Sequence, residues 1–151
     1  MLIVTNNEKI ILSSEYKTEE FANIISKKLK FGDIVFLYGE MGVGKTTFIK
    51  YLINTFQKQN KLELTEVTSP TFNILNEYEI NKVNIRHYDL FRLKSLEELK
   101  DLNLFEKKLK EISLIEWPEI IDKKPKNLIK LFFQYEDDHK SRSVLIKVLD
   151  L

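Results

Sequence analysis

The sequence predicts an α/β fold of three layers, a mixed central β-sheet flanked by helices, on three observations. Three of the chain's four glycines fall within six residues, at Gly39, Gly42 and Gly44, in the run Gly39-Glu40-Met41-Gly42-Val43-Gly44-Lys45-Thr46. An apolar run, Ile34-Val35-Phe36-Leu37-Tyr38, leads into those glycines, and the helical pattern Thr47-Phe48-Ile49-Lys50-Tyr51-Leu52-Ile53 leads out of them. Further along, alternating segments are separated by short polar turns, as in hairpins. Strand, glycine loop and helix is the context that makes G-x-x-x-x-G-K-[ST] a phosphate-binding loop, so the fold is that of a P-loop nucleoside triphosphatase.

Each element has its own signal. Residues 9–13 predict a short strand. Ser13 or Ser14 caps a helix over about 17–30, with Phe21, Ile24, Ile25 and Leu29 on one face. Phe31-Gly32-Asp33 ends that helix and feeds the strand at 34–38. The helix after the loop covers about 45–58, and polar residues 58–62 make a connection. Residues 71–80 and 83–90 read as a hairpin around Asn81-Lys82. Ser95-Leu96-Glu97-Glu98 has the spacing of a capping box and opens a short helix. Ile112-Ser113-Leu114-Ile115 is a buried strand by its content. Strands at 127–135 and 142–149 are joined by the charged turn 136–140. The sheet is therefore expected to be parallel around the loop, with antiparallel hairpins beside it.

At 151 residues the chain is expected to form one domain, residues 1–151. A net charge of +1 gives no field that would by itself gather nucleic acid or a membrane. The absence of cysteine excludes disulfides, thiolate metal sites and cysteine nucleophiles. Met1–Asn7 is too short and polar for a signal peptide, and no apolar stretch is of membrane-spanning length, so the expected location is the cytoplasm, with no membrane partner. Only three arginines, Arg86, Arg92 and Arg142, stand among 24 basic residues, which narrows any search for an arginine acting on phosphate.

The loop chemistry is specific. Glycine angles let successive N–H groups face one anion, and the first turn of the next helix adds unpaired N–H groups and the positive end of its dipole. Lys45 brings a full charge to the β- and γ-phosphates, and Thr46 offers a hydroxyl to Mg²⁺. Two carboxylates end apolar strands: Asp89 after Val83–Tyr88, and Glu116 after Ile112–Ile115. Either can serve the metal or orient an attacking water, and either can instead cap a neighbouring helix. Ser69-Pro70-Thr71-Phe72, between the loop helix and the hairpin, reads by composition as an ordinary turn, although its hydroxyls could meet a γ-phosphate or its metal. Neither histidine has partners spaced for a metal: His87 reads as a strand residue near the site and His139 as a solvated turn residue.

With Lys45, Ser69-Pro70-Thr71-Phe72, Asn76-Glu77-Tyr78, His87-Tyr88-Asp89-Leu90-Phe91-Arg92-Leu93 and Ile115-Glu116-Trp117-Pro118-Glu119 in this order, the chain resembles the TsaE family, also known as YjeE. The resemblance runs from the helix near residue 18 to the last hairpin, with Tyr88 and Phe91 where Phe and Tyr often occur. It implies a small ATPase that uses ATP and Mg²⁺ and supports a TsaB–TsaD pair in forming threonylcarbamoyladenosine in tRNA, with tRNA reached through that complex. By position it implies that Glu40, Met41, Gly42, Val43, Gly44, Lys45, Thr46 and Thr47 bind the phosphates and that Thr46 and Glu116 ligate Mg²⁺. It also implies that Asp89 takes the Walker B place and that Thr71 belongs to a switch-like segment. The resemblance further implies that Trp117 lies beside the metal carboxylate and packs against a partner or the switch, that Glu15 or Thr18 approaches the adenine, and that Lys140 or Arg142 does the same.

Lys45, Asp89, Glu116 and Thr71 are thus the expected catalytic set. Hydrolysis by the chain alone is expected to be very slow, with Arg92 either a cis arginine finger or a surface residue paired with Glu97 or Glu98. A small-molecule kinase is the main rival, but it would need a lid with arginines. A GTPase fits poorly, since Asn81-Lys82-Val83-Asn84 lacks the aspartate of N-K-x-D and Arg92 stands where D-x-x-G needs glycine.

Overall fold

The computed structural model describes residues 6–70, 72–106 and 110–148. The order is β1 (Lys9–Leu12), α1 (Glu15–Lys28), β2 (Ile34–Tyr38), α2 (Lys45–Gln59), β3 (Leu75–Ile80), β4 (Val83–Asp89), α3 (Leu96–Asp101), β5 (Glu111–Glu116), a 3₁₀ turn (Pro118–Ile120), β6 (Leu128–Tyr135) and β7 (Arg142–Val148). All seven strands join one sheet in the order β1-β7-β6-β2-β5-β4-β3. β6, β2, β5 and β4 run parallel, and β3, β7 and β1 add antiparallel edges. The α/β class and the mixed sheet are those the sequence predicts.

β2 lies between β5 and β6 with helices over both faces, which is why its sequence is apolar without alternation. On one face Val35, Leu37, Leu131, Phe133 and Val144 pack against Phe21 and Ile25 of α1 and Phe48, Ile49, Leu52 and Ile53 of α2. On the other, Ile34, Phe36, Tyr88, Ile115 and Leu128 pack with Leu99 of α3 and Leu104. Phe48 is the hinge of the first core: its ring centroid lies 5.2 Å from that of Phe21 and 5.7 Å from that of Phe133.

The local stops follow side-chain chemistry. Ser14 caps α1 by accepting from the Lys17 N–H at 3.3 Å, so the helix starts at Glu15, two residues before the expected start. Ser95 caps α3 by accepting from the Glu98 N–H at 3.2 Å, while the Glu98 carboxylate accepts from the Lys94 N–H at 2.9 Å. α2 differs: Gly44 at its start has φ 114° and offers no side-chain cap, so the first-turn N–H groups stay open. β3 starts at Leu75, later than the strand expected from residue 71, because Phe72–Ile74 bend and Ile74 takes a left-handed φ of 65°.

Replacing Phe48 with alanine leaves a void between two helices and the sheet. The Phe48→Ala variant is expected to lose about 3–5 kcal/mol of stability, seen in urea as a lower midpoint with an unchanged slope.

Candidate functional site

Parallel pairing brings the strand ends together. Asp89 on β4 stands beside Glu116 on β5, and Glu116 stands beside Leu37 on β2, two residues before the glycine loop. The loop, the uncapped start of α2 and these carboxylates border a cleft of about 400 Å³ at the carboxyl ends of the strands. Met41, Gly42, Gly44, Lys45, Thr46, Thr47, Ser69, Pro70, Asp89, Phe91, Arg92, Glu116, Trp117 and Arg142 line it.

Two glycines are dictated by geometry. A Cβ on Gly39 would stand 2.7 Å from the Phe133 carbonyl oxygen, a backbone atom that cannot move aside, and Gly44 needs its positive φ to turn into α2. Both turn the chain into the uncapped start of α2, whose first-turn N–H groups suit an anion.

Glu116 is the most enclosed acid of the site, 2% exposed. The Thr46 hydroxyl lies 3.1 and 3.2 Å from its two oxygens, and His87 Nε2 lies 2.6 Å from Oε2. A hydroxyl and a carboxylate facing each other beside a phosphate cradle suit Mg²⁺, which binds through one or two protein oxygens with phosphate and water completing the shell. Among the described residues no group of three or more His, Cys, Asp or Glu side chains could hold a metal ion by itself.

Asp89 is held differently. Its Oδ2 accepts from the Ser69 hydroxyl at 2.6 Å and its Oδ1 from the Phe91 N–H at 3.0 Å. Lys45 is 4% exposed, donates to the Gly39 carbonyl, and sits 3.7 Å beneath the Trp117 ring, which packs on Phe91. Trp117 itself has a left-handed backbone, φ 56°, uncommon for a bulky residue. Burial pulls the Lys45 pKa below the ordinary lysine value, and the negative charges of Glu116, Glu119 and Asp89 partly offset it.

Of the other expected residues, Glu15, Thr18, Lys140 and Arg142 gather at a smaller hollow of about 60 Å³, which shares Gly44, Thr47 and Arg142 with the main cleft. There the Glu15 carboxylate accepts from the Tyr51 hydroxyl at 3.0 Å, and the Thr18 hydroxyl reaches the Ser14 carbonyl at 3.5 Å. Val43 points into the core and Glu40 is exposed outside the cleft lining, so these two bring backbone alone to the loop. Thr71 lies outside the described residues. Arg92 lines the cleft with its guanidinium 5.2 Å from the Phe72 ring, and no ion pair among the described residues joins it to Glu97 or Glu98.

Sequence reasoning missed two partnerships, Ser69 with Asp89 and His87 with Glu116. Spacing signals only half of the second. His87 and Asp89 are two apart on β4 and so share a face, and the register sets Glu116 diagonal to His87 on that face.

The family model described as Threonylcarbamoyl adenosine biosynthesis protein TsaE matches residues 12–144. A tRNA threonylcarbamoyladenosine biosynthesis protein TsaE of Rickettsia bellii is 42% identical over 135 residues, 89% of this chain and 91% of that one. Its counterpart in Borreliella burgdorferi is 38% identical over 109 residues, 71% of this chain and 75% of the relative. Among solved structures, Bacillus subtilis YdiB shares the fold with a TM-score of 0.67 at 22% identity, covering 94% of this chain and 86% of that one.

The depressed Lys45 pKa sets a pH dependence. Where the folded value lies below the unfolded one, the unfolded chain binds more protons in the window between them. The burial penalty is therefore complete below the folded value and is relieved as pH rises towards 10.5. Against Lys45→Met, which lacks the ammonium, the wild-type protein is expected to gain relative stability over that alkaline window. Parallel urea titrations at stepped pH measure this, and a constant difference would show that Lys45 is not desolvated.

Proposed function

The chain belongs to the TsaE family, proteins of tRNA threonylcarbamoyladenosine biosynthesis, and on that premise we propose that it is a Mg²⁺-dependent ATPase supporting a TsaB–TsaD pair in that pathway. The observation that carries the reading is the Thr46 hydroxyl facing the Glu116 carboxylate at 3.1 and 3.2 Å beside an uncapped helix start.

The loop N–H groups and the start of α2 bind the phosphates. Lys45 leaves the Gly39 carbonyl and the Trp117 ring to meet the β- and γ-oxygens. Thr46 and Glu116 hold Mg²⁺, which when bound neutralises phosphate charge. Asp89 or Glu116 accepts from the attacking water and aligns it with the γ-phosphorus. The Ser69–Asp89 bond ties the segment that precedes Thr71 to the cleft, so departure of the γ-phosphate is passed to the segment carrying Thr71. The adenine lies towards Glu15, Thr18, Lys140 and Arg142.

Arg92 and Arg142 both line the cleft, their guanidinium groups 5.2 and 5.6 Å from the Phe72 and Tyr135 rings. In this reading the chain alone is slow, and the partner pair speeds it. Met41, Phe72 and Phe91, 68%, 83% and 54% exposed, give the cleft mouth an apolar rim suited to a macromolecular partner.

ATP turnover with Mg²⁺ tests this, for the chain alone and with a TsaB–TsaD pair. Slow hydrolysis is expected to rise with the pair and to fall about 10²–10³-fold in Lys45→Ala, with a similar loss in Thr46→Val. Turnover indifferent to the pair would remove the partnership, and γ-phosphate transfer to a small acceptor would make the chain a kinase.

A further inference from the structure

His87 is fully buried, yet its neighbours on that face of the sheet include Ile85 and Leu114, and nothing in the packing calls for a polar ring. Its Nδ1 meets no partner, an arrangement that by itself disfavours an imidazole in the core. The other nitrogen accounts for the residue. Nε2 lies 2.6 Å from Glu116 Oε2, and since a carboxylate only accepts, the ring donates. Asp89, the other carboxylate of the cleft, takes its hydrogen bonds from Ser69 and Phe91. The imidazole thus serves one acid.

Resting on the reading of Glu116 as a cation ligand, we propose that His87 is the positioning residue for its carboxylate. The Nε2–H occupies one lone pair of Oε2 and holds the side chain in the rotamer that turns Oε1 and the rest of Oε2 towards Thr46 and the cleft. Without that bond, Glu116 samples other rotamers and must be ordered when the cation arrives. Divalent-cation affinity therefore depends on a side chain that never touches the cation, whereas binding of nucleotide without metal does not.

The test is a Mn²⁺ titration followed by electron paramagnetic resonance, in the presence of ATP. It compares wild-type protein with His87→Leu, His87→Asn, His87→Gln and Glu116→Gln. ATP affinity in EDTA and thermal unfolding are measured beside it. The Gln amide nitrogen reaches the place of Nε2, while the Asn nitrogen reaches only the place of Nδ1. His87→Leu and His87→Asn are expected to weaken Mn²⁺ about tenfold with metal-free ATP affinity unchanged, and His87→Gln to remain within about threefold of wild type.

Equal Mn²⁺ affinity in wild type and His87→Asn overturns the proposal. So does equal weakening in Gln and Asn, which would reduce His87 to packing. If His87→Leu does not fold, the Asn and Gln pair decides. Glu116→Gln separates the two layers: if it leaves Mn²⁺ affinity unchanged, Glu116 is not a ligand and the reading beneath the proposal falls with it.

Discussion

Glu116 is an acid taken almost completely out of water, and three elements are placed by the way its charge is satisfied. The start of α2 brings the Thr46 hydroxyl, β4 brings the His87 ring, and β5 brings the carboxylate. A carboxyl group at 2% exposure is tolerated only where donors or positive charges converge on it. Lys45, whose pKa responds to Glu116, supplies the nearby positive charge. Helix, loop and two strands are thereby tied at one end of the sheet, where the cleft lies.

The position of Lys45 belongs to the same balance. The ammonium donates to the Gly39 carbonyl and lies against the face of Trp117. Trp117, left-handed and followed by Pro118, is held over the lysine by Phe91. One aromatic pair therefore covers the charged end of the loop and borders the cleft with its exposed edge residue, Phe91.

Much of this was legible in the residues, because the strongest signals were local. The glycine spacing with Lys45 and Thr46 marked the loop, the unbroken apolar run marked β2, and Asn81-Lys82 marked the β3–β4 turn. Local signals misjudged segments held by distant partners. Phe72–Ile74 has strand-forming composition but bends, and Ser69 has turn composition although its hydroxyl is committed to Asp89, twenty residues on. His87 read as one more strand residue because its partner comes from another strand, and strand order is a property of the sheet rather than of any segment.

The strand order also governs how the protein can be made. β2 carries the phosphate loop at its end, but both of its neighbours, β5 and β6, come from residues 111–135. A nascent chain that has released the loop and α2 from the ribosome still lacks every strand that would brace β2. Synthesis proceeds at about 5–20 residues per second, so the wait lasts some seconds. Through that interval the loop and its helix are tethered but unframed, and the cleft takes shape only when β5 and β6 slot in on either side of β2.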